Sequence, residues 1–461
     1  MSPPSTALAT DRLGVPAVVF FVISAAAPLT VAAGVVTTGY AVTGLIGLPL
    51  AFVVVAAVLA LFSVGYVAMA RQVANAGAFY TYLTHGLGRP AGVGGAWVAL
   101  LAYNALQVGL YGAIGVATAP LLRDWFGLNV AWWVLALITW AIVAVLGIQH
   151  IEVNGRVLAV LLVAEIAITL VYSAASLAHP AEGAVSFRPL APGTLFAPGL
   201  GAVLSIAVLG FVGFESSVVF SEETRDRRRT VPIATYLSIT LIGALYALSS
   251  WAMSVATGPD RIVDAAREQS TELIFGLAGA QLGSAFSTAG HVLFVTSVLA
   301  AAISFHNTIA RYMFALGRDR VLPAALGRTR SGSPVAGSLC QSVFALAVIV
   351  TYAITGADPL VHLFYWCGTS GGFGVLLLIT ATSVAVVAFF VRHPSGESVW
   401  RRVIAPVLAA LLLLGVAGLA LANFTTLLGV APDSPLRWVV PGMYLAVAVL
   451  GAGWGFAVRA R

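Results

Sequence analysis

The 461-residue chain contains no lysine, so all 23 of its basic residues are arginine. Charge of either sign is scarce: 9% of residues are charged and 60% are hydrophobic, whereas soluble domains carry roughly 25% charged residues. That scarcity excludes the string of soluble domains that length alone would suggest and points to a polytopic membrane protein. The net charge of +6 does not imply a nucleic-acid partner, because the arginines are scattered at the ends of apolar segments. Cysteine is nearly absent as well. Cys340 and Cys367 both fall in apolar segments and read as buried thiols, implying neither a disulfide framework nor a metal site. No Ser-His-Asp arrangement, phosphate-binding loop or metal-ligand spacing occurs. The chain is therefore expected to be no enzyme, to have no catalytic residue, metal or cofactor, and not to use ATP. Residues 1–14 read as a polar cytoplasmic tail without a cleavage site.

What is present is a series of apolar runs of about 20 residues or more, enough to cross a bilayer core. They fall at 15–43, 45–69, 91–121, 130–148, 156–177, 198–220, 232–256, 284–309, 336–355, 360–391, 403–428 and 437–458. Twelve spans place both termini on one side. Eighteen arginines then lie on that side, and Arg123, Arg188, Arg261, Arg267 and Arg437 lie on the other. Positive residues concentrate on the cytoplasmic face, so both termini are expected in the cytoplasm of a multi-pass cell-membrane protein. The stretch 222–230 reads as a cytoplasmic loop whose Arg227, Arg228 and Arg229 set topology, a gating or headgroup role being the alternative. The outer connections 178–197 and 257–283 are long enough only for caps or interfacial helices.

Two spans carry breaks. In the first, Ser24-Ala25-Ala26-Ala27-Pro28-Leu29-Thr30 places a proline, which removes an amide donor, among small residues. In the sixth, Leu209 leads into Gly210-Phe211-Val212-Gly213-Phe214-Glu215, where two glycines loosen the backbone around an acid. Backbone freed in hydrocarbon is tolerated only against protein or a water-filled cavity, and paired breaks in two halves point to a transporter's binding site. Ser24, Ala25, Ala26, Ala27, Thr30, Leu209, Phe211, Gly213 and Phe214 are therefore candidate substrate-binding residues. A simple proline kink and plain packing are the alternatives. Tyr103, Asn104 and Gln107 fall within one helical turn of the third span, and Asn104 and Gln107 join the substrate candidates; helix–helix hydrogen bonding is the other reading. Glu215 is an intramembrane acid and hence a functional candidate for ion coupling, or else a brace for the unwound backbone. Thr296 and Ser297 offer hydroxyls to a cation beside the first break. His291 reads as a proton relay or a packing histidine, and His306 and Asn307 as gate or packing residues.

Three strings carry a family resemblance. Phe211-Val212-Gly213-Phe214-Glu215 followed by Glu222-Glu223-Thr224 and Val231-Pro232 resembles the sixth-helix signature of the amino acid–polyamine–organocation (APC) superfamily. Ala76-Gly77-Ala78-Phe79-Tyr80-Thr81-Tyr82, with Gly86 and Gly88, is similar to its entry into the third helix. Arg311-Tyr312 through Gly317-Arg318-Asp319-Arg320 and Pro323 is similar to the stretch that follows its eighth. The resemblance implies an all-α fold of twelve transmembrane helices in a leucine-transporter-like five-plus-five inverted repeat. Helices one and six would be broken around a midplane site, and two extra helices would follow. Residues 15–177 would form the first repeat, 198–391 the second, and 403–458 the last two helices.

The chain departs from that family twice. The glycine-serine-glycine cluster common at the first break is replaced by Ala27-Pro28-Leu29-Thr30. Proton-coupled relatives carry a lysine in the fifth span, and alignment on Asn154-Gly155-Arg156 puts Glu165 there. Glu165 lies nine residues beyond Arg156, about 13 Å along a helix. A carboxyl at that depth is costly to ionise, which makes Glu165 a candidate proton carrier. Binding an ammonium or sodium ion, or bracing helices, are the alternatives. The expectation is a secondary transporter of amino acids working by alternating access with a proton as the coupling ion, sodium being the alternative. A polyamine or organocation carrier, or an exchanger, is the rival. The small-molecule substrate and the lipid bilayer are the expected partners.

Overall fold

The computed structural model describes Leu8 and residues 12–73, 76–149, 151–330, 332–393 and 396–458, with backbone alone over 151–158. Most of the 1–14 tail, the side chains of Asn154 and Arg156, and Arg459 and Arg461 lie outside the described residues. Among those described the chain is all-helical, with two isolated bridges, Leu13 to Thr224 and Arg330 to Ser333, and no named strand.

Helices α1 (Val15–Thr43), α2 (Leu48–Ala70), α3 (Arg89–Phe126), α4 (Trp132–Gly147), α5 (Ile151–Ala178) and α6 (Leu200–Val218) form the first half of the chain. Helices α7 (Arg227–Thr257), α8 (Ser284–Arg318), α9 (Val335–Thr355), α10 (Pro359–Arg392), α11 (Trp400–Ala422) and α12 (Leu436–Ala457) follow. Among the described residues, eleven helices are long and apolar enough to cross a membrane. The fourth of the twelve expected runs is shorter, a 16-residue apolar helix rising only about 24 Å against a core of about 30 Å.

A helix apolar on every side belongs either in a protein interior or in lipid, and burial separates the two. The most apolar stretches of α1 and α6 are each 89% buried, whereas that of α12 is 17% buried. The two broken helices are thus the axis of the bundle and α12 is periphery. Around α1 pack α5, α7 and α8; around α6 pack α2, α10 and α11. The long α3 runs against α8, α10 and α12.

Several expectations change. Cys340 is exposed and Cys367 half-buried, not buried, because an apolar run in a membrane helix has a lipid-facing side that hydrophobicity does not reveal. The loop at 222–230 ends early: α7 starts at Arg227, and Asp226 caps it by accepting the Arg229 amide at 3.3 Å. The 257–283 connection holds two short helices, Ile262–Gln269 and Leu273–Leu282, and another, Ala78–Leu87, precedes α3.

Candidate functional site

The first half of α1 ends at Ala26. Ala27 takes the left-handed conformation (φ 46°, ψ 72°), its amide bonded back to the Ile23 and Ser24 carbonyls, and Pro28 opens the second half. Alanine in that region costs roughly 1–2 kcal/mol. A π-helical turn, Val31–Val36, follows at once. The first half of α6 ends at Phe211; Val212 is extended and Gly213 has φ 116°, a conformation open to glycine. The two breaks touch. A methyl built on Gly213 would come within 2.7 Å of the Ala25 methyl. The Tyr246 hydroxyl donates to the Ala26 carbonyl at 2.7 Å, satisfying one group freed by the first break.

Glu215 is fully buried and both its carboxylate oxygens are engaged. Oε1 accepts from the Tyr103 hydroxyl at 2.7 Å and Oε2 from the Gly213 amide at 3.0 Å. Its carbonyl accepts from the Tyr66 hydroxyl at 2.9 Å. Phe211 and Phe214 pack inward, against Phe52 and Tyr246 and against Phe62 respectively.

Beside the breaks lies a small, partly open cavity of about 70 Å³. Ala25, Ala26, Ala27, Thr30 and Leu209 line it, as do Val31, Val35 and Thr38 further along α1. Opposite walls come from Leu106 and Leu110 of α3, Phe305 of α8, and Phe364 and Tyr365 from the π-helical start of α10. Asp358 caps that start, accepting the Leu360 and Val361 amides at 2.8 and 2.7 Å. It extends from the breaks along the second half of α1, away from the end where Leu13 meets Thr224. Ser24, Phe211, Gly213, Phe214, Asn104 and Gln107 do not line it.

On the far side of the first break, Thr30 meets α8 and α5. The Thr30 amide and hydroxyl both donate to Ser297 Oγ, at 3.2 and 2.9 Å. A hydroxyl that accepts twice keeps its own hydrogen to give, and the neighbour facing it is the Glu165 carboxyl, which also faces the Leu29 amide. Glu165 is 1% exposed, and its Oε2 has no hydrogen-bond partner. An unpartnered carboxylate oxygen at this depth is costly, and a proton or a cation on it removes the cost. Thr296 does not join this cluster: its hydroxyl turns back to the Leu293 carbonyl.

The remaining candidates lie elsewhere. Ser24 Oγ and Asn104 Oδ1 are buried without partners. Gln107 belongs to a chain of hydrogen bonds running from Gln341 (2.7 Å) through Gln107 to His306 (3.3 Å) and Ser338 (2.7 Å). His291 pairs with Glu272 at 2.8 Å near one end of α8. Neither hydropathy nor polarity marks Leu106, Leu110 or Phe305, which are ordinary apolar positions. Phe364 and Tyr365 are marked by the Asp358-Pro359 helix start just before them.

At the Leu13 end of the bundle the three strings that carried the family resemblance meet. Arg311 grips Glu223 at 2.6 and 3.1 Å, with 3% and 1% of the two side chains exposed. Arg318 grips Glu222 at 2.7 and 2.9 Å, and Glu222 also accepts the Ala76 amide. The Phe79 amide donates to the Tyr312 hydroxyl at 2.9 Å. The Arg12 and Leu13 amides donate to the Glu223 carbonyl, and Arg225 returns a bond to the Leu13 carbonyl. Glu222 and Glu223 thus tie α8, the segment before α3 and the start of the chain to the loop that follows α6.

A family profile described as "Amino acid permease" matches residues 13–452. The chain is similar to the low-affinity putrescine importer PlaP of Escherichia coli, 24% identical over 355 residues, 73% of this chain and 72% of the relative. It is 23% identical over 275 residues to the chloroplastic cationic amino acid transporter 7 of Arabidopsis thaliana, 57% of this chain and 42% of that one. An uncharacterised transporter of Mycobacterium tuberculosis is 29% identical over 210 residues, 44% of each chain.

Proposed function

This chain belongs to the amino acid permease family and is a multi-pass membrane transporter, not an enzyme, and from that premise we propose that it carries amino acids across the cytoplasmic membrane by alternating access, coupled to protons. The observation that carries the reading is the cavity at the two helix breaks, backed by the Glu165 carboxyl behind Thr30, whose Oε2 has no hydrogen-bond partner.

In this reading the twelve helices form two inverted repeats, 15–177 and 198–391, with 403–458 appended and both termini in the cytoplasm. The matching breaks of α1 and α6, each at the end of a 12-residue half-helix, support the symmetry. Residues Ala25, Ala26, Ala27, Thr30 and Leu209 would face substrate. Glu165 would hold the coupling proton, with Thr30 and Ser297 linking its occupancy to the geometry of the first break. Glu215 would brace the second break instead of exchanging ions, since both its oxygens are engaged. The Arg311–Glu223 and Arg318–Glu222 pairs would close the cytoplasmic path while the cavity opens outward, and would part when it opens inward. A ligand moves such an equilibrium only by binding one state better than the other.

The putrescine importer among the relatives makes a diamine carrier the second reading. Purified protein in liposomes tests the first. Radiolabelled amino acids should accumulate under an inward proton gradient and not under a sodium gradient alone. Accumulation driven by sodium alone would contradict proton coupling, and the absence of amino acid uptake would contradict the reading itself.

A further inference from the structure

We infer that the cavity selects an amino acid with a single ammonium group and an uncharged, apolar side chain, excluding diamines and cationic amino acids; this rests on the amino acid reading above. Among the described residues no Asp, Glu, His, Arg or Lys lines the cavity, and the polar side chains that do are the hydroxyls of Thr30, Thr38 and Tyr365.

Both nearby acids are withheld from it. Glu165 sits behind the first break, facing Ser297 and the Leu29 amide. Glu215 is sealed by Tyr103 and the Gly213 amide, and Gly213 itself is pressed against Ala25. Charge recognition is left to the backbone. The first halves of α1 and α6 reach the cavity with their C-terminal ends, at Ala26 and Val212, and the second half of α1 with its N-terminal end, at Ala27. Helix C-termini carry partial negative charge and N-termini partial positive charge. That pattern suits one ammonium and one carboxylate held on neighbouring atoms at the breaks.

The other end of the cavity differs. Thr38 lies eight residues beyond Thr30, roughly 10–12 Å along the helix, among Val35, Leu110 and Phe364. A second ammonium there would be desolvated without a counter-charge, which is strongly unfavourable, whereas an apolar side chain would gain by burial. Selectivity against charge therefore lies with Val35, Thr38, Leu110 and Phe364.

Binding and uptake are measured with leucine, valine, arginine, lysine and putrescine on the full-length protein in detergent and in liposomes. The expected result is uptake of leucine or valine, with arginine, lysine and putrescine at least about tenfold weaker, the factor for one modest unpaired-charge penalty. Thr38→Asp should raise arginine or lysine binding about tenfold or more and lower that of leucine. Leu110→Asp puts the same question should that variant fail to fold. Preferred uptake of putrescine, arginine or lysine by the natural protein overturns the inference while leaving it a transporter. Uptake of no amino acid overturns the amino acid reading and the inference together. Apolar preference with neither folded Asp variant admitting a cation overturns the assignment of selectivity to this end of the cavity.

Discussion

Gly213 in the break of α6 lies against Ala25 in the break of α1, so close that a methyl on Gly213 would stand 2.7 Å from the Ala25 methyl. The two unwound segments are therefore one packed unit, and a shift in either is felt by the other.

Gly213→Ala meets two penalties, the clash with Ala25 and a backbone at φ 116°. The positive φ alone costs about 1–3 kcal/mol. A clear fall in melting temperature with loss of uptake is expected. Gly415→Ala, where a methyl meets nothing within 4 Å, serves as the control and should leave both unchanged.

Ala26 lines the cavity and its carbonyl is held by Tyr246. Ala26→Leu should fill the space next to the break and reduce substrate binding at least about tenfold, a loss equivalent to 1.4 kcal/mol, while the protein still elutes as a monodisperse peak. Calorimetric or thermal-shift affinity equal to that of the natural protein would contradict a substrate at this position.

Tyr103 and the Gly213 amide both donate to Glu215. Glu215→Gln presents an amide NH₂ to one of them and leaves a buried donor unpaired, worth about 1–3 kcal/mol of stability. Tyr103→Phe leaves Oε1 without its donor and should cost a similar amount. The double variant should cost less than the sum, because the sites share one network. Melting curves of the three variants check this.

Arg311 and Glu223 form a bidentate pair with almost no exposure. Removing one partner of such a pair costs about 3–5 kcal/mol because the other is left buried and charged. Glu223→Gln should therefore destabilise the closed arrangement of this end. Cysteine accessibility measured at positions lining the path between Glu223 and the breaks should rise. Unchanged accessibility would show that the pair does not close this end.

The sequence made the α6 break legible because paired glycines beside an acid have few other uses in hydrocarbon. It marked the α1 break only to within a few residues: nothing about Ala27 signals a left-handed backbone, which tertiary packing imposes. The polar residues of α3 drew attention, yet Asn104 and Gln107 turn to their own helix and to Gln341 and His306. The cavity wall is built from Leu106 and Leu110 instead. Apolar wall positions look like any others, and so do exposed ones such as Cys340. By contrast, the Glu222-Glu223, Ala76–Tyr82 and Arg311–Arg320 strings read as separate motifs and prove to be one cluster. Charge complementarity between arginines and paired glutamates was the available signal, and which glutamate meets which arginine depends on the fold.

In this mechanism coupling rests on Glu165, whose Oε2 is buried without a hydrogen-bond partner beside Ser297. The direct measurement is substrate flux through Glu165→Gln in liposomes, comparing accumulation under a proton gradient with exchange at equal pH. Glutamine keeps the shape and removes the titrating group, so exchange should persist while gradient-driven accumulation is lost. Proton-driven accumulation at the level of the natural protein would contradict the account.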